Sequence, residues 1–402
     1  MLNKQALNGI KVLDIGHYIA GPYASKLMAD MGAEVIKIEP PWGEAGRTMS
    51  PFANDDPNIE NSLPHFYLNS NKLGITLNLK SSEGKKIFCE LVADTDIVVE
   101  NYSPDTLSNL GLDYDQLKLI NPEIILVSIS NFGQTGPYRN YKATEIIEYA
   151  MGGLMGIFGA YDKEPIKHAL HQSQIKAGTN AANAALMAMY WKQANGQGQH
   201  IDISIQECIA YGLRDTTSNY TYTGGVRRRQ PNHSGDLTRI RQVEDGFILP
   251  NPNVNTSRGL NWETVANFIG STELLSDKFS TPTSRLENAE ELGEILDRSY
   301  GHQKKFETFY NAHELRFIYG IILTPEEVLQ NPQYLHRDFF VDVVHPTAGA
   351  IKFPGAPFKM SETPAQYLKV SPTLGEHTKD IICGRLNRTN NELSQMKATE
   401  II

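Results

Sequence analysis

Along the first half of the chain, short apolar runs alternate with amphipathic stretches. Lys11–Ile15 (KVLDI) is a compact apolar run that predicts a buried strand, and Tyr23–Met31 carries helical spacing. Glu34–Glu39 (EVIKIE) predicts the next strand, with Gly21-Pro22 punctuating the turn. Strand, helix and strand at this spacing make a βαβ unit and hence a parallel pair. The alternation continues. Gly74–Leu79, Ile97–Glu100 and Glu123–Ser130 (EIILVSIS) predict strands, while Ser82–Val92 and Asp113–Leu119 predict helices. Trp42–His65 is rich in Gly, Pro, Asn and Asp and reads as a long loop, a feature that often serves function.

His171–Gln206 (HQSQIKAGTNAANAALMAMYWKQANGQGQHIDISIQ) predicts a loop, a helix, a glycine turn and a strand. Gly178-Thr179-Asn180 supplies start signals, with Thr179 or Asn180 as the expected cap. Ala181, Ala184, Ala185 and Ala188 recur at helical spacing, so another backbone can approach closely. Gly196 and Gly198 end the helix, and His200–Ile205 alternates like a strand. A loop that enters a helix N-terminus presents unpaired N–H donors and partial positive charge, which suits anionic groups.

Tyr220–Ser234 shifts in composition and reads as a linker. Beyond it, Asp245–Pro250 predicts a strand, and helical stretches run from Asn261 to Tyr310, together outlining a small domain. Thr324-Pro325-Glu326-Glu327 is a strong helix start. Phe340–Val344 and Ala350–Phe353 predict a hairpin, and the chain after Arg385 is polar with little element signal.

The 402 residues suffice for two or three domains. A net charge of −9 argues against a nucleic-acid partner, and Arg227-Arg228-Arg229 reads as a solvated loop. Cys89, Cys208 and Cys383 lie far apart without CxxC spacing. That predicts no zinc site and fits a reducing cytoplasm. The start of the chain lacks an apolar signal region, and no apolar run reaches the ~18 residues of a membrane span. A cytoplasmic protein without a membrane partner is the expectation. The turn His17–Pro22 is not GxGxxG, which argues against a nicotinamide site.

Several blocks carry a resemblance. LNGIKVLDIGHYIAGPYASKLMADMGAEVIKIE (Leu7–Glu39) is followed in order by NSNKLGITLNLKSSEGKK, DIVVENYSPDTLSNLGLDYDQL and NPEIILVSISNFGQTGP. FPGAPFKMSETP and SPTLGEHT stand near the end. Together they resemble the family III CoA-transferases, the formyl-CoA transferase and carnitine CoA-transferase group; the likeness is weakest over about Thr223–Ser284. The resemblance implies an α/β fold, with a Rossmann-like large domain around a parallel sheet, a small α+β domain, and two chains interlocked as a dimer. On this chain that maps to 1–222 for the first part of the large domain. Residues 223–322 are the small domain with its linkers, and 323–402 are a return segment completing the large domain. It implies coenzyme A, bound as an acyl-CoA, and a carboxylic acid as the small-molecule partners, with no metal.

In the resembled family, an aspartate four residues before the helix glycine is the nucleophile; here Gln174 stands four before Gly178. A carboxylate attacks the acyl-CoA thioester to give a mixed anhydride and CoA thiolate, and a neutral amide cannot do this. Gln174 can still line a pocket through hydrogen bonds. Glu145 matches a frequently acidic family position and is the candidate substitute, set against an ordinary exposed carboxylate. Glu148, Asp162 and Glu164 are weaker candidates.

By resemblance, CoA is held by His17, Tyr18, Ile19 and Ala20, by Asn101 and Tyr102, and by Lys142. Pro40, Ser103 and Asn109 stand where family members often carry arginines, so bidentate phosphate recognition is weakened. Arg47 and Lys72 are the expected compensation. His17 reads as a turn residue and His200 as structural, and Asp236–Gly246 replaces the family's glycine-rich lid without a glycine run.

Four readings follow. The leading one is a CoA-transferase subunit paired with a homologue that supplies the nucleophile. GTNAANAALMAMYWKQANGQGQHIDISIQEC is similar to the aspartate-lacking subunit type of succinyl-CoA:(R)-benzylsuccinate CoA-transferase. The others are a self-sufficient (homodimeric) transferase using Glu145, an acyl-CoA racemase or isomerase, and a non-catalytic partner. The racemase reading needs an acid–base pair where Thr144 and Gln174 stand.

Overall fold

Period-2 alternation in the short apolar runs feeds two cores at once. Leu13, Ile36, Val98 and Leu126 point into one apolar cluster, and their neighbours Val12, Val35, Val99 and Val127 into another. These runs are strands β1 (Lys11–Asp14), β2 (Glu34–Glu39), β3 (Leu73–Thr76), β4 (Ile97–Glu100), β5 (Ile125–Ser130) and β6 (His200–Ser204). They form one parallel sheet in the order β3-β2-β1-β4-β5-β6. Sheets buried on both faces read as continuous apolar runs, and every residue of β4 and β5 is buried. The order reverses between β1 and β4, and ligands of doubly wound sheets bind beyond the strand ends at such a point.

This computed structural model describes residues 5–231, 234–252 and 261–402. The chain divides into two compact units: 1–158, 165–227 and 337–402 form the large one, and 159–164 with 228–336 the small one. The large unit carries helices α1 (Ala20–Asp30), α2 (Leu63–Asn69), α3 (Ser82–Val92), α4 (Thr106–Leu110) and α5 (Tyr114–Ile120). They are followed by α6 (Glu145–Met151), α7 (Gln172–Asn195), α8 (Ile205–Ala210) and α9 (Arg214–Thr223). The long loop expected over Trp42–His65 ends early, in α2, which Ser62 caps at His65 N.

The start of α7 differs from expectation. The helix begins at Gln172, so Gly178 is interior to it. The Thr179 hydroxyl and the Asn180 amide donate back to the carbonyls of Ile175 and Lys176 instead of capping. Packing against α1 overrides the local start signals. A Cβ on Gly178 would lie 2.7 Å from the Ala20 carbonyl oxygen. Ala177, Ala181, Ala182, Ala185 and Ala188 are buried in the same cluster as Ala20 and Ala24. The close approach read from the alanines is therefore present, and it reaches one turn further back.

The small unit has an antiparallel sheet of β7 (Arg241–Val243), β8 (Gly246–Leu249) and β9 (Gly320–Ile321). Helices α10 (Trp262–Ile269), α11 (Pro282–Glu287), α12 (Ala289–Gly301) and α13 (Lys305–Glu314) accompany it, then α14 (Pro325–Gln330) and α15 (Pro332–His336). Its core includes Val265, Phe279, Leu296 and Phe317. Thr324 and Glu327 form a reciprocal capping box at α14. Tyr220–Thr223, expected as linker, complete α9, and the chain returns to the large unit at 337 rather than 323.

The returning segment forms the antiparallel hairpin β10 (Phe340–His345) and β11 (Gly349–Pro354), then α16 (Asn390–Ala398). The polar tail is thus structured: Thr389 and Glu392 box the start of α16, and Leu393, Met396 and Ile402 join the first apolar cluster. Among the described residues no helix is long and apolar enough to cross a membrane.

Candidate active site

The turn after β1 is built on buried charge. Asp14 is fully buried; its carboxylate accepts from Gly16 N at 2.9 Å, Ser25 Oγ at 2.7 Å and Lys72 Nζ at 2.8 Å. Burial opposes its ionisation, but Lys37 and Lys72 outweigh that and hold it below the usual carboxylate range. Burial in turn brings Lys72 down to about 8.

Asn101, just past β4, clamps this turn. Its Oδ1 accepts from His17 N at 2.7 Å and its Nδ2 donates to His17 O at 2.8 Å. Gly16 is needed here, because a Cβ would sit 3.0 Å from both Asn101 Oδ1 and Gly21 Cα. Tyr18 takes a left-handed backbone, φ 66°, and its N–H donates to Glu44 Oε2 at 2.8 Å. Such strain persists only where neighbours impose it. Glu44 also accepts from Gly46 N at 2.6 Å. Burial resists its charge, yet Lys37, His65 and the Gly46 N–H hold it far below its ordinary pKa. Tyr102 stacks on His17 with centroids 5.3 Å apart, and burial lowers the His17 pKa, keeping it neutral.

Two adjoining cavities open at this point and share His17, Ala45, Tyr102 and Thr106. The smaller, about 340 Å³, is walled by Ile15, Ile38, Trp42, Leu77, Leu79 and Leu110, with Lys80 beside them. The larger, about 860 Å³, runs past Asn101, Lys142 and Glu145 to Gln174. Three atoms of its lining, His17 Nδ1, His171 Nδ1 and Ser130 Oγ, are buried without a protein partner. A cleft with such unpartnered atoms in its lining can take a ligand that carries polar groups.

At the far end, α6 and α7 meet through carboxylates. Glu145 Oε1 accepts from Ser173 N at 3.0 Å and its Oε2 lies against the Ser173 hydroxyl. It therefore serves the exposed donors of the first turn of α7, where the helix dipole favours negative charge. Glu148 is buried and accepts from Ser173 Oγ at 2.6 Å and from Gln174 Nε2 at 3.0 and 3.1 Å. Burial raises its pKa, Ser173 and Gln174 pull it back, and the charge of Glu145 adds to the rise.

Of the residues singled out in the sequence, Gln174, Glu145, His17, Tyr18, Asn101, Tyr102 and Lys142 all line the larger cleft. Ile19 and Ala20 are buried at the start of α1 and support the turn from behind. Arg47 and Lys72 do not replace the missing arginines. Arg47 is 1% exposed and forks onto Glu39 at 2.7 and 2.8 Å, with Glu60 at 2.7 Å. Lys72 is bound to Asp14, Pro22 O and Asn69. Each guanidinium or ammonium is consumed where a buried carboxylate needs it. The cations that do line the cavities are Lys80, Arg139 and Lys142. Asp162 and Glu164 are exposed and lie in the small unit. His200 bonds Ser128 at 2.9 Å and stacks on Tyr114, a structural place.

Glu44, Ser130, His171 and Ser173 were not legible as site residues. The spacing Glu145–Glu148, one helical turn apart, was the available hint that both acids share a face.

The family model described as CoA-transferase family III matches residues 7–378. Among curated relatives, the chain is 31% identical to the formyl-CoA:oxalate CoA-transferase of Streptomyces coelicolor, covering 100% of both chains. It is 32% identical to the succinyl-CoA–D-citramalate CoA-transferase of Chloroflexus aurantiacus, over 98% of each. It is 28% identical to subunit BbsE of succinyl-CoA:(R)-benzylsuccinate CoA-transferase from Thauera aromatica, over 90% of this chain and 91% of that one. A crystal structure of a CAIB/BAIF family protein from Brucella suis superposes with a TM-score of 0.85 at 28% identity, covering 94% of this chain and 99% of the other. Sequence blocks, parallel sheet and matched length agree: this is a member of CoA-transferase family III, an enzyme or a subunit of one.

Proposed function

We propose that this chain binds an acyl-CoA and a carboxylic acid and takes part in moving CoA between them, as a subunit whose homologous partner supplies the nucleophile. The observation that carries this reading is the α6–α7 junction. Position 174 presents an amide, and the two carboxylates beside it, Glu145 and Glu148, are engaged by Ser173 and Gln174. Glu145 acts as a helix cap, which disfavours the alternative in which it attacks the thioester.

For binding, the apolar cavity between Trp42, Leu77 and Leu110 suits an adenine ring, with Lys80 at hand for phosphate. The larger cleft then takes the rest of the molecule, with Lys142 along it and the thioester toward Gln174. A partner chain is supported by α7, which exposes Leu186, Met187, Tyr190 and Trp191, and by α9, which exposes Tyr220 and Tyr222. An interlocked dimer of homologous chains, each with a small α+β domain, would cover such faces. Three free cysteines agree with a cytoplasmic setting.

The test is an assay of CoA transfer by the purified chain alone and after co-expression with an aspartate-bearing homologue. The proposal expects transfer only from the pair. Robust transfer by a homodimer overturns it.

A further inference from the structure

Glu148 faces the amide at position 174 across the α6–α7 junction. It is 0% exposed, and both its oxygens accept from Gln174 Nε2, at 3.0 and 3.1 Å. Ser173 Oγ donates to it at 2.6 Å. With the Asn131 amide turned to satisfy both its neighbours, its nitrogen donates to Glu148 Oε1 at 3.0 Å and its oxygen accepts from Ala143 N at 3.1 Å. Gln174 thus commits its NH2 group to Glu148, which leaves its carbonyl oxygen as the group offered to the cleft it lines.

We propose that Glu148 is the positioning residue that keeps position 174 neutral: carboxyl on α6 and amide on α7 form one hydrogen-bonded pair, and a working carboxylate on α7 is excluded while Glu148 remains. The inference rests on the proposed function, in which 174 is the nucleophile's position. Its physical basis is like-charge repulsion. Gln174 Nε2 lies 3.0 and 3.1 Å from the Glu148 oxygens; an aspartate there, one methylene shorter, would still face Glu148 across the junction within a few ångströms, and each charge would oppose ionisation of the other. Exchanging the two groups removes the conflict. A carboxylate in the first turn of α7 would lie in the favourable field of the helix N-terminus, with an amide at 148 donating to it. It could then attack an acyl-CoA: its oxygen forms a bond to the acyl carbon, the carbon–sulfur bond breaks, and CoA leaves as the thiolate.

The experiment uses the full chain as wild type, as Gln174→Asp, and as Glu148→Gln/Gln174→Asp. Each is incubated with succinyl-CoA and quenched with hydroxylamine, and the modified residue is located by mass spectrometry. CoA affinity, measured by calorimetry, confirms that each protein is folded and binds. The expected result is no adduct on the wild type, little on the single variant, and at least about tenfold more on residue 174 of the double variant, since each pKa unit of suppression is a tenfold loss of carboxylate. Glu148→Ala/Gln174→Asp, with the same expectation, serves should the first pair not fold. Equal labelling of single and double variants overturns the proposal, as does a double variant that binds CoA and stays unlabelled; both leave the proposed function standing. An adduct on Glu148 of the wild type overturns the two together.

Discussion

At the β1–β4 end of the cleft, backbone and side chain are locked to each other: Asn101 clamps His17 through two bonds and Glu44 holds the strained Tyr18. At the α6–α7 end, side chains are locked to side chains: Glu145 and Glu148 close onto Ser173 and Gln174. The first arrangement leaves His17 Nδ1 without a protein partner in the lining of the cleft. The second turns its charge inward and offers a neutral amide. In the proposed function, binding and bond-making fall on different walls of one cleft and can be tested separately.

Helix α7 joins the two ends, so breaking it should remove both. Gly178→Val places a branched side chain against the Ala20 carbonyl and should cost about 3 kcal/mol, read as a lowered urea midpoint. Next in size is Glu100, at the end of β4. Burial raises its pKa from 4.5 to about 7, the Asp202 charge adds, and Ser128 and the Tyr102 N–H oppose. A carboxyl raised in the folded state binds more protons there, so stability falls as pH rises from about 4.5 to 7. Glu100→Gln should flatten that fall and leave the protein about 2–3 kcal/mol more stable at pH 8 than the wild type. Urea melts at pH 5 and 8 check it; an unchanged slope contradicts it.

Asn101→Ala removes the clamp without touching α7. CoA affinity should fall about tenfold, equivalent to about 1.4 kcal/mol, as measured by calorimetry. The smallest effect is at Glu145. Glu145→Gln keeps one acceptor for Ser173 N but loses the charge at the helix start, costing about 1 kcal/mol by thermal melting. A collapse of transfer in the assembled enzyme with stability intact would instead make Glu145 the reacting group.

Much of the sheet was legible because β1, β2, β4 and β5 are short apolar runs whose period-2 alternation serves both faces. Helix α3 was plain from its apolar spacing over Ser82–Val92, and the α14 start from Thr324-Pro325-Glu326-Glu327, which carries local capping chemistry. The start of α7 was not. Its cap, Glu145, comes from 28 positions away. The role of Arg47 was hidden for a related reason: its partner Glu39 is a strand-end carboxylate whose burial only the tertiary structure shows. In the site, residues read from the chain order fell on the cleft where local turns carry them, as at His17 and Asn101. Ser130, His171 and Glu44 depend on the sheet's switch point and could not be seen in one dimension.

The most direct measurement is the covalent state of the unaltered protein by itself. The purified chain, given isotopically labelled succinyl-CoA and examined by intact mass, should bind the thioester yet carry no acyl group on any carboxyl. A stoichiometric acyl adduct on Glu145, Glu148 or another acid of the cleft would contradict the view that this chain binds the thioester but does not open it.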